Sequence, residues 1–285
     1  MAEKRILDMD DGVQLVADVD GPPEGPVVVL AHGGGQTRHS WSGAFRKLVE
    51  KGYRVINFDA RGHGNSDWSA DNKYPLSRRW TDLEAIIHQM APNKSVAVVG
   101  ASMGGGSALY GVSAGFRPSA LILVDISPNA ERAGMQRVVD FMKAGLGGFR
   151  SIDEAADAVA AYNHSRPRPK NVSGLKRNMR QSADGRWYWH WDPGMLDVNL
   201  DQERALMANT FWGLESAEGL PVLLVRGLNS DVVTDQTVED FRARISSIEV
   251  ADISGAGHMV AGDKNDAFNE AILRFLKRHM PPSSA

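Results

Sequence analysis

Apolar residues along the chain gather in short, nearly continuous runs. The clearest lie at 27–31, 54–58, 96–99, 121–124 and 222–225, with a weaker one at 248–253. Uninterrupted runs of this length predict strands covered on both faces, as in a parallel sheet. Between them, 41–50, 83–90 and 268–276 carry apolar residues at helical spacing. Strands alternating with helices predict an α/β fold. Residues 6–18 alternate apolar and polar positions around Asp11-Gly12. That pattern predicts an antiparallel hairpin at the sheet edge.

The alternation covers 1–127 and resumes over 214–285. The intervening 128–213 lacks strand-like runs and is rich in arginine, alanine, methionine and tryptophan. It reads as a helical insertion lying over the sheet, so the core is discontinuous in sequence.

Composition narrows the function classes. A chain of 285 residues can bury a full core. Its net charge of -3 points to neither nucleic acid nor an anionic membrane as partner. There are no cysteines, which excludes disulfides, thiolate catalysis and cysteine-ligated metals. No apolar run approaches the ~20 residues that span a bilayer. The polar start, Met1-Ala2-Glu3-Lys4-Arg5, does not read as a signal peptide, so a cytoplasmic location is expected.

The candidate chemistry centres on Gly100-Ala101-Ser102-Met103-Gly104, between a strand-like run and a stretch of small residues. A strand entering a helix through a sharp turn lifts the serine hydroxyl above the sheet edge. The helix then directs its free N–H groups to the same point. Gly111-Val112-Ser113-Ala114-Gly115 repeats the string without a preceding strand and reads as a chance match inside that helix.

Four further segments follow strand-like runs. His32-Gly33-Gly34-Gly35-Gln36 suits an oxyanion hole, with the N–H of Gly34, or its neighbour Gly35, paired to that of Met103. In 59–67, His63 reads as a structural turn residue. Asp231, beyond the 222–225 run, is the favoured acid to orient a histidine, and Asp125 is its rival because it too ends a strand. His258, after Gly255-Ala256-Gly257, is the expected base, preferred to His190 in the insertion.

The order Ser102, Asp231, His258, with these glycine loops, resembles the α/β-hydrolase superfamily in its capped branch. The resemblance spans most of 1–127 and 214–285. It implies a mostly parallel eight-stranded sheet flanked by helices, with a helical cap at 128–213. A serine in the elbow, where relatives that open epoxides or remove halides carry aspartate, implies hydrolysis of a carboxylic ester or lactone through an acyl-enzyme. Amide, peracid and carbon–carbon bond chemistry remain alternatives on the same triad. A non-catalytic binding protein is the alternative from another class. No cofactor or metal is implied, and the expected partner is a small acyl substrate, with the protein a monomer or homodimer. Trp187, Trp189, His190 and Trp191 are the expected cap residues of the substrate pocket, because this segment packs four aromatic rings into five positions. Cap cations including Arg166, Arg168 and Lys170 would matter if one faced inward to meet a carboxylate.

Overall fold

The apolar runs form strands in a computed structural model that describes residues 2–163, 168, 172–260 and 265–282. In chain order the strands are β1 (Glu3–Asp8), β2 (Gln14–Asp20), β3 (Val27–Ala31), β4 (Arg54–Phe58), β5 (Val96–Ala101), β6 (Ala120–Val124), β7 (Met179–Gln181), β8 (Trp187–Trp189), β9 (Val222–Gly227) and β10 (Glu249–Ile253). Eight of them form one sheet in the order β1-β2-β4-β3-β5-β6-β9-β10. The β1–β2 and β2–β4 pairs are antiparallel, and the others are parallel. The edge hairpin expected from 6–18 is therefore present, turning at Gly12 with φ +81°.

The helices are α1 (Ser42–Glu50), α2 (Leu76–Met90), α3 (Met103–Ser113), α4 (Arg132–Ala144), α5 (Ile152–Tyr162), α6 (Leu200–Glu215), α7 (Asp235–Arg244) and α8 (Asn265–His279). Side chains alternate across a strand, so each continuous run serves two cores. Val27, Val29, Val98, Leu121 and Leu123 pack toward α2, α3, α6 and α7. Val28, Leu30, Val99 and Ile122 pack toward α1 and α8. No helix among the described residues is long and apolar enough to cross a membrane.

The segment between β6 and β9 departs from the expectation in two ways. It is not wholly helical, because β7 and β8 pair as an antiparallel hairpin. The tryptophans of 187–191, expected to line the substrate pocket, sit on and just after that second strand. Helix α6 also belongs to the sheet-facing core through Met207, Phe211 and Leu214. A Cβ on Gly213 would lie 2.4 Å from the Ser113 side chain, so α6 and α3 touch backbone to backbone. The rest has its own apolar cluster, including Met142, Phe149, Ile152, Met179, Trp189 and Trp191. It is tied down where Asp192 N–H donates to Gly62 O at 2.8 Å and Gly64 N–H to His190 O at 2.8 Å.

The turn after β5 is a close backbone-to-backbone contact in the core. A Cβ on Gly104 would lie 2.4 Å from Ala31 O, and one on Gly100 2.5 Å from the Gly105 backbone. Backbone cannot yield there as a flexible side chain would. Gly104→Ala is therefore expected to lower stability by about 1–3 kcal/mol, seen as a reduced urea midpoint at unchanged m-value. Gly174→Ala, where nothing lies within 4 Å, should leave the midpoint in place.

Candidate active site

Ser102 is the pivot between β5 and α3, with φ 44° and ψ -111°. A non-glycine residue in this conformation is strained and persists only where its surroundings hold it. Here Ser102 N–H donates to Val124 O at 3.1 Å, and Ser102 O accepts from Gly106 N–H at 2.9 Å. Met103 opens α3, so its N–H has no partner within the helix by position. The second serine match, Ser113, lies at the far end of α3 with its Oγ on Leu109 O at 3.2 Å.

The glycine loop after β3 lies against this turn, a Cβ on Gly33 being 3.4 Å from Ser102 Cβ. Two buried histidines brace the loop. His32 donates from Nδ1 to Gly33 O at 2.8 Å and accepts Ala60 N–H on Nε2 at 2.9 Å. His63 donates from Nδ1 to Arg61 O at 3.1 Å and accepts Gly35 N–H on Nε2 at 3.1 Å. Each ring gives one proton and takes one, so each is held as a neutral tautomer. The rings meet edge to face, with centroids 4.8 Å apart. Burial pushes both below the ordinary histidine range, and the neighbouring His32 lowers His63 further. Gly35 N–H is thus engaged, and Gly33 N–H is taken by Gln36 Oε1 at 3.1 Å. Gly34 N–H makes no hydrogen bond among the described residues.

The acid partner of His258 is where the structure corrects the sequence. His258 Nδ1 lies 2.7 Å from Asp125 Oδ2. Asp125 ends β6 at φ 50° and is fully buried. Asp231 instead pairs with Arg137 of α4, and its backbone is pressed against that helix, a Cβ on Gly134 lying 2.3 Å from Asp231 O. Packing of α4 thus turns Asp231 to a partly exposed ion pair, while the strand end points Asp125 inward. Burial raises the Asp125 carboxyl, and His258, Ser230 and the Gly227 N–H oppose that rise.

Ser102, Met103, Gly34 and His258 line one cavity of about 270 Å³. Of the expected cap residues, Trp189 and Trp191 line it. Trp187 lies outside, under Lys176 at 5.9 Å from the ring centroid, and His190 is half-buried behind the wall. Six of the eleven methionines line the cavity: Met103, Met135, Met142, Met195, Met207 and Met259. Among the described residues the one arginine on this wall is Arg79, which comes from α2 and pairs with Glu203 at 2.8 Å. Arg168 is held by Asp153 and Asp157 at 2.7 and 2.5 Å, while Arg166 and Lys170 lie outside the described residues.

A family model described as alpha/beta hydrolase fold matches residues 26–264. The chain is 29% identical over 263 residues to esterase Rv0045c of Mycobacterium tuberculosis (strain ATCC 25618 / H37Rv), covering 88% of this chain and 83% of that protein. It is 30% identical over 257 residues to the 3-hydroxybutyrate-oligomer hydrolase of Cupriavidus necator, covering 83% and 85%. Among solved structures, E-2-(acetamidomethylene)succinate hydrolase matches with a TM-score of 0.83 at 19% identity over 97% of this chain and 100% of the other. The M. tuberculosis esterase matches with a TM-score of 0.74 at 25% identity over 97% and 92%.

The neutral histidines bracing the glycine loop carry a stability signature. Unfolded, each takes a proton below about pH 6.5, while the folded rings resist it. Their contribution is intact above that pH and falls as pH drops below it, by ~1.4 kcal/mol per unit per histidine. Urea unfolding at about pH 7 and about pH 5.5 should therefore show a smaller acid loss in His63→Gln than in the parent. Equal losses would mean that His63 is not held neutral.

Proposed function

Because the chain belongs to the alpha/beta hydrolase fold family and is a hydrolase, we propose that it is a serine esterase acting through Ser102, His258 and Asp125. One observation carries this reading. A strained serine, a histidine 2.7 Å from a buried carboxylate, and two candidate N–H donors all border one apolar cavity.

With Nδ1–H given to Asp125, His258 keeps its Nε2 lone pair for the Ser102 proton. Ser102 Oγ adds to the ester carbonyl carbon as that proton moves to His258. The carbonyl oxygen becomes an oxyanion, held by the N–H groups of Gly34 and Met103. Between the two candidates of that loop, Gly34 is supported because Gly35 N–H is already bound to His63. Collapse of the intermediate breaks the C–O bond, and His258 protonates the departing alcohol. Water, deprotonated by His258, then cleaves the acyl-enzyme and returns Ser102. Asp125 stays ionised throughout and steadies the imidazolium. A substrate-binding cap is proposed for 128–213, with Trp189 and Trp191 as its contribution to the pocket.

The cavity sits at the low end of ligand-pocket sizes, about 300 Å³ and above. Its wall is apolar and rich in methionine, which repacks around differently shaped groups. Short to medium apolar acyl groups fit this description. The relative named as an esterase supports ester chemistry, and the one named as a 3-hydroxybutyrate-oligomer hydrolase supports hydrolysis.

The test is hydrolysis of p-nitrophenyl esters from acetate to long acyl chains. Turnover should rise and then fall with chain length and vanish in Ser102→Ala. No Ser102-dependent turnover on any ester would reject the reading. Asp125→Asn should lose kcat by about 10⁴-fold with the fold retained, because the histidine then sits in the wrong tautomer. Asp231→Asn should stay within the parent's order of magnitude, since an exposed ion pair contributes little. The reverse pattern would return the acid role to Asp231.

A further inference from the structure

Asp125 Oδ2 takes two short hydrogen bonds, one with His258 Nδ1 at 2.7 Å and one from Ser230 Oγ at 2.5 Å. Its other oxygen accepts Gly227 N–H at 3.2 Å. Ser230 lies in the loop after β9, beside the aspartate that sequence reasoning favoured. Its hydroxyl oxygen also accepts the N–H groups of Val232 at 3.1 Å and Val233 at 3.3 Å. A serine hydroxyl has one proton and two lone pairs. With two backbone donors arriving at the oxygen, its proton is left to point at Asp125.

We propose that Ser230 is a positioning residue of the catalytic machinery, whose hydroxyl holds the Asp125 carboxylate ionised and aimed at His258. This rests on the serine-esterase reading above for its catalytic consequence, though not for the hydrogen bonds. An isolated carboxylate without water favours its neutral form, and a protonated Asp125 could not steady a charged imidazole. Two donors besides the histidine keep the acid anionic. One is the Gly227 backbone, which no side-chain substitution removes. The other is Ser230, which a single substitution does.

The sign of the effect follows from charge. The His258–Asp125 pair carries one negative charge when the histidine is neutral and none once it takes a proton. A hydrogen-bond donor favours the more negative state, so removing it makes protonation of the pair easier. The acid limb of kcat then moves to higher pH. Other charged groups bordering the same cavities stay in place: the pairs Arg79–Glu203, Arg137–Asp231 and Lys47–Asp266, the Arg168 cluster, and Asp140, Arg46, Glu50 and Arg177, along with His39. None of them hydrogen-bonds the Ser230 hydroxyl, Asp231 included although it is the next residue in the chain.

Ser230→Thr and Ser230→Val test this as a pair of equal shape, with and without the hydroxyl. The Val form should lose kcat about tenfold near neutral pH, and its acid limb should move up by about one pH unit, the scale of one hydrogen bond to a charged group. KM should hold within about twofold, and the Thr form should restore both kcat and the limb. An unmoved limb in the Val form would overturn the proposal even if stability fell, because losing an acceptor for Val232 and Val233 is purely structural. NMR titration of the His258 ring in the parent and the Val form reads the same displacement without substrate. A displacement there, in a protein with no Ser102-dependent ester turnover, would reject the esterase reading and leave the role of Ser230 standing. No displacement, alongside normal ester turnover in the parent, would do the opposite.

Discussion

A carboxylate with no exposure to water, at the end of β6, is the constraint around which the rest of the site is arranged. Burying an ion costs several kcal/mol unless the surrounding groups replace its hydration. Asp125 meets this demand by drawing three donors from three places: the end of β9, the loop that follows it, and the loop after β10. Each must approach closely. Gly227 shows how closely, since a Cβ there would lie 2.4 Å from both Ala256 O and Gly257 O, just before His258. The histidine loop can reach the acid only because β9 ends in a residue without a side chain.

The opposite wall depends on the 59–67 loop in the same manner. Asp59 is buried and takes the Arg38 backbone N–H at 2.7 Å, the Arg38 guanidinium at 2.5 Å and the Asn65 N–H at 2.9 Å. That fixes the loop's path. The loop then supports His63 beneath the glycine turn and pairs with residues 190–192 of the β6–β9 segment. One core loop thus sets both the N–H groups near Ser102 and the height of the aromatic strand above it. A disturbance at Asp59 would reach the glycine-loop N–H groups and the aromatic wall of the cavity together.

The parts of this arrangement that were legible in the sequence are those encoded by local pattern. Strand positions followed from continuous apolar runs, and the Ser102 turn from glycines flanking a strand end. His258 followed from glycines on the approach to a histidine. The choice between Asp125 and Asp231 was not local. Both follow strands, and what separates them is the packing of α4 against residue 231, a contact between segments about a hundred positions apart. Ser230 left no signal, because a serine in a polar loop has many ordinary roles. The β7–β8 hairpin was missed because its strands are three residues long and join through a turn rich in charge. Trp189 and Trp191 both face the cavity, which spacing of two on an extended segment allows. Trp187 shares that parity, yet it lies beyond the cavity's end.

The site therefore divides into two kinds of material. The groups proposed to react are held by backbone: a strained serine, glycine N–H groups, a strand-end aspartate and a histidine on a glycine-led loop. Backbone hydrogen bonds and the close backbone approach that glycine permits leave little freedom, which suits chemistry that depends on sub-ångström placement. The cavity wall carries long, unbranched methionines on α3, α4 and α6, at Met195 and in the loop after β10, which can change rotamer without moving the backbone. Substitutions in the first group act on kcat through geometry. Under the proposed reaction, those in the second redistribute preference among acyl groups. The faces that line the cavity can therefore vary while the hydrogen bonds converging on Asp125 are left untouched.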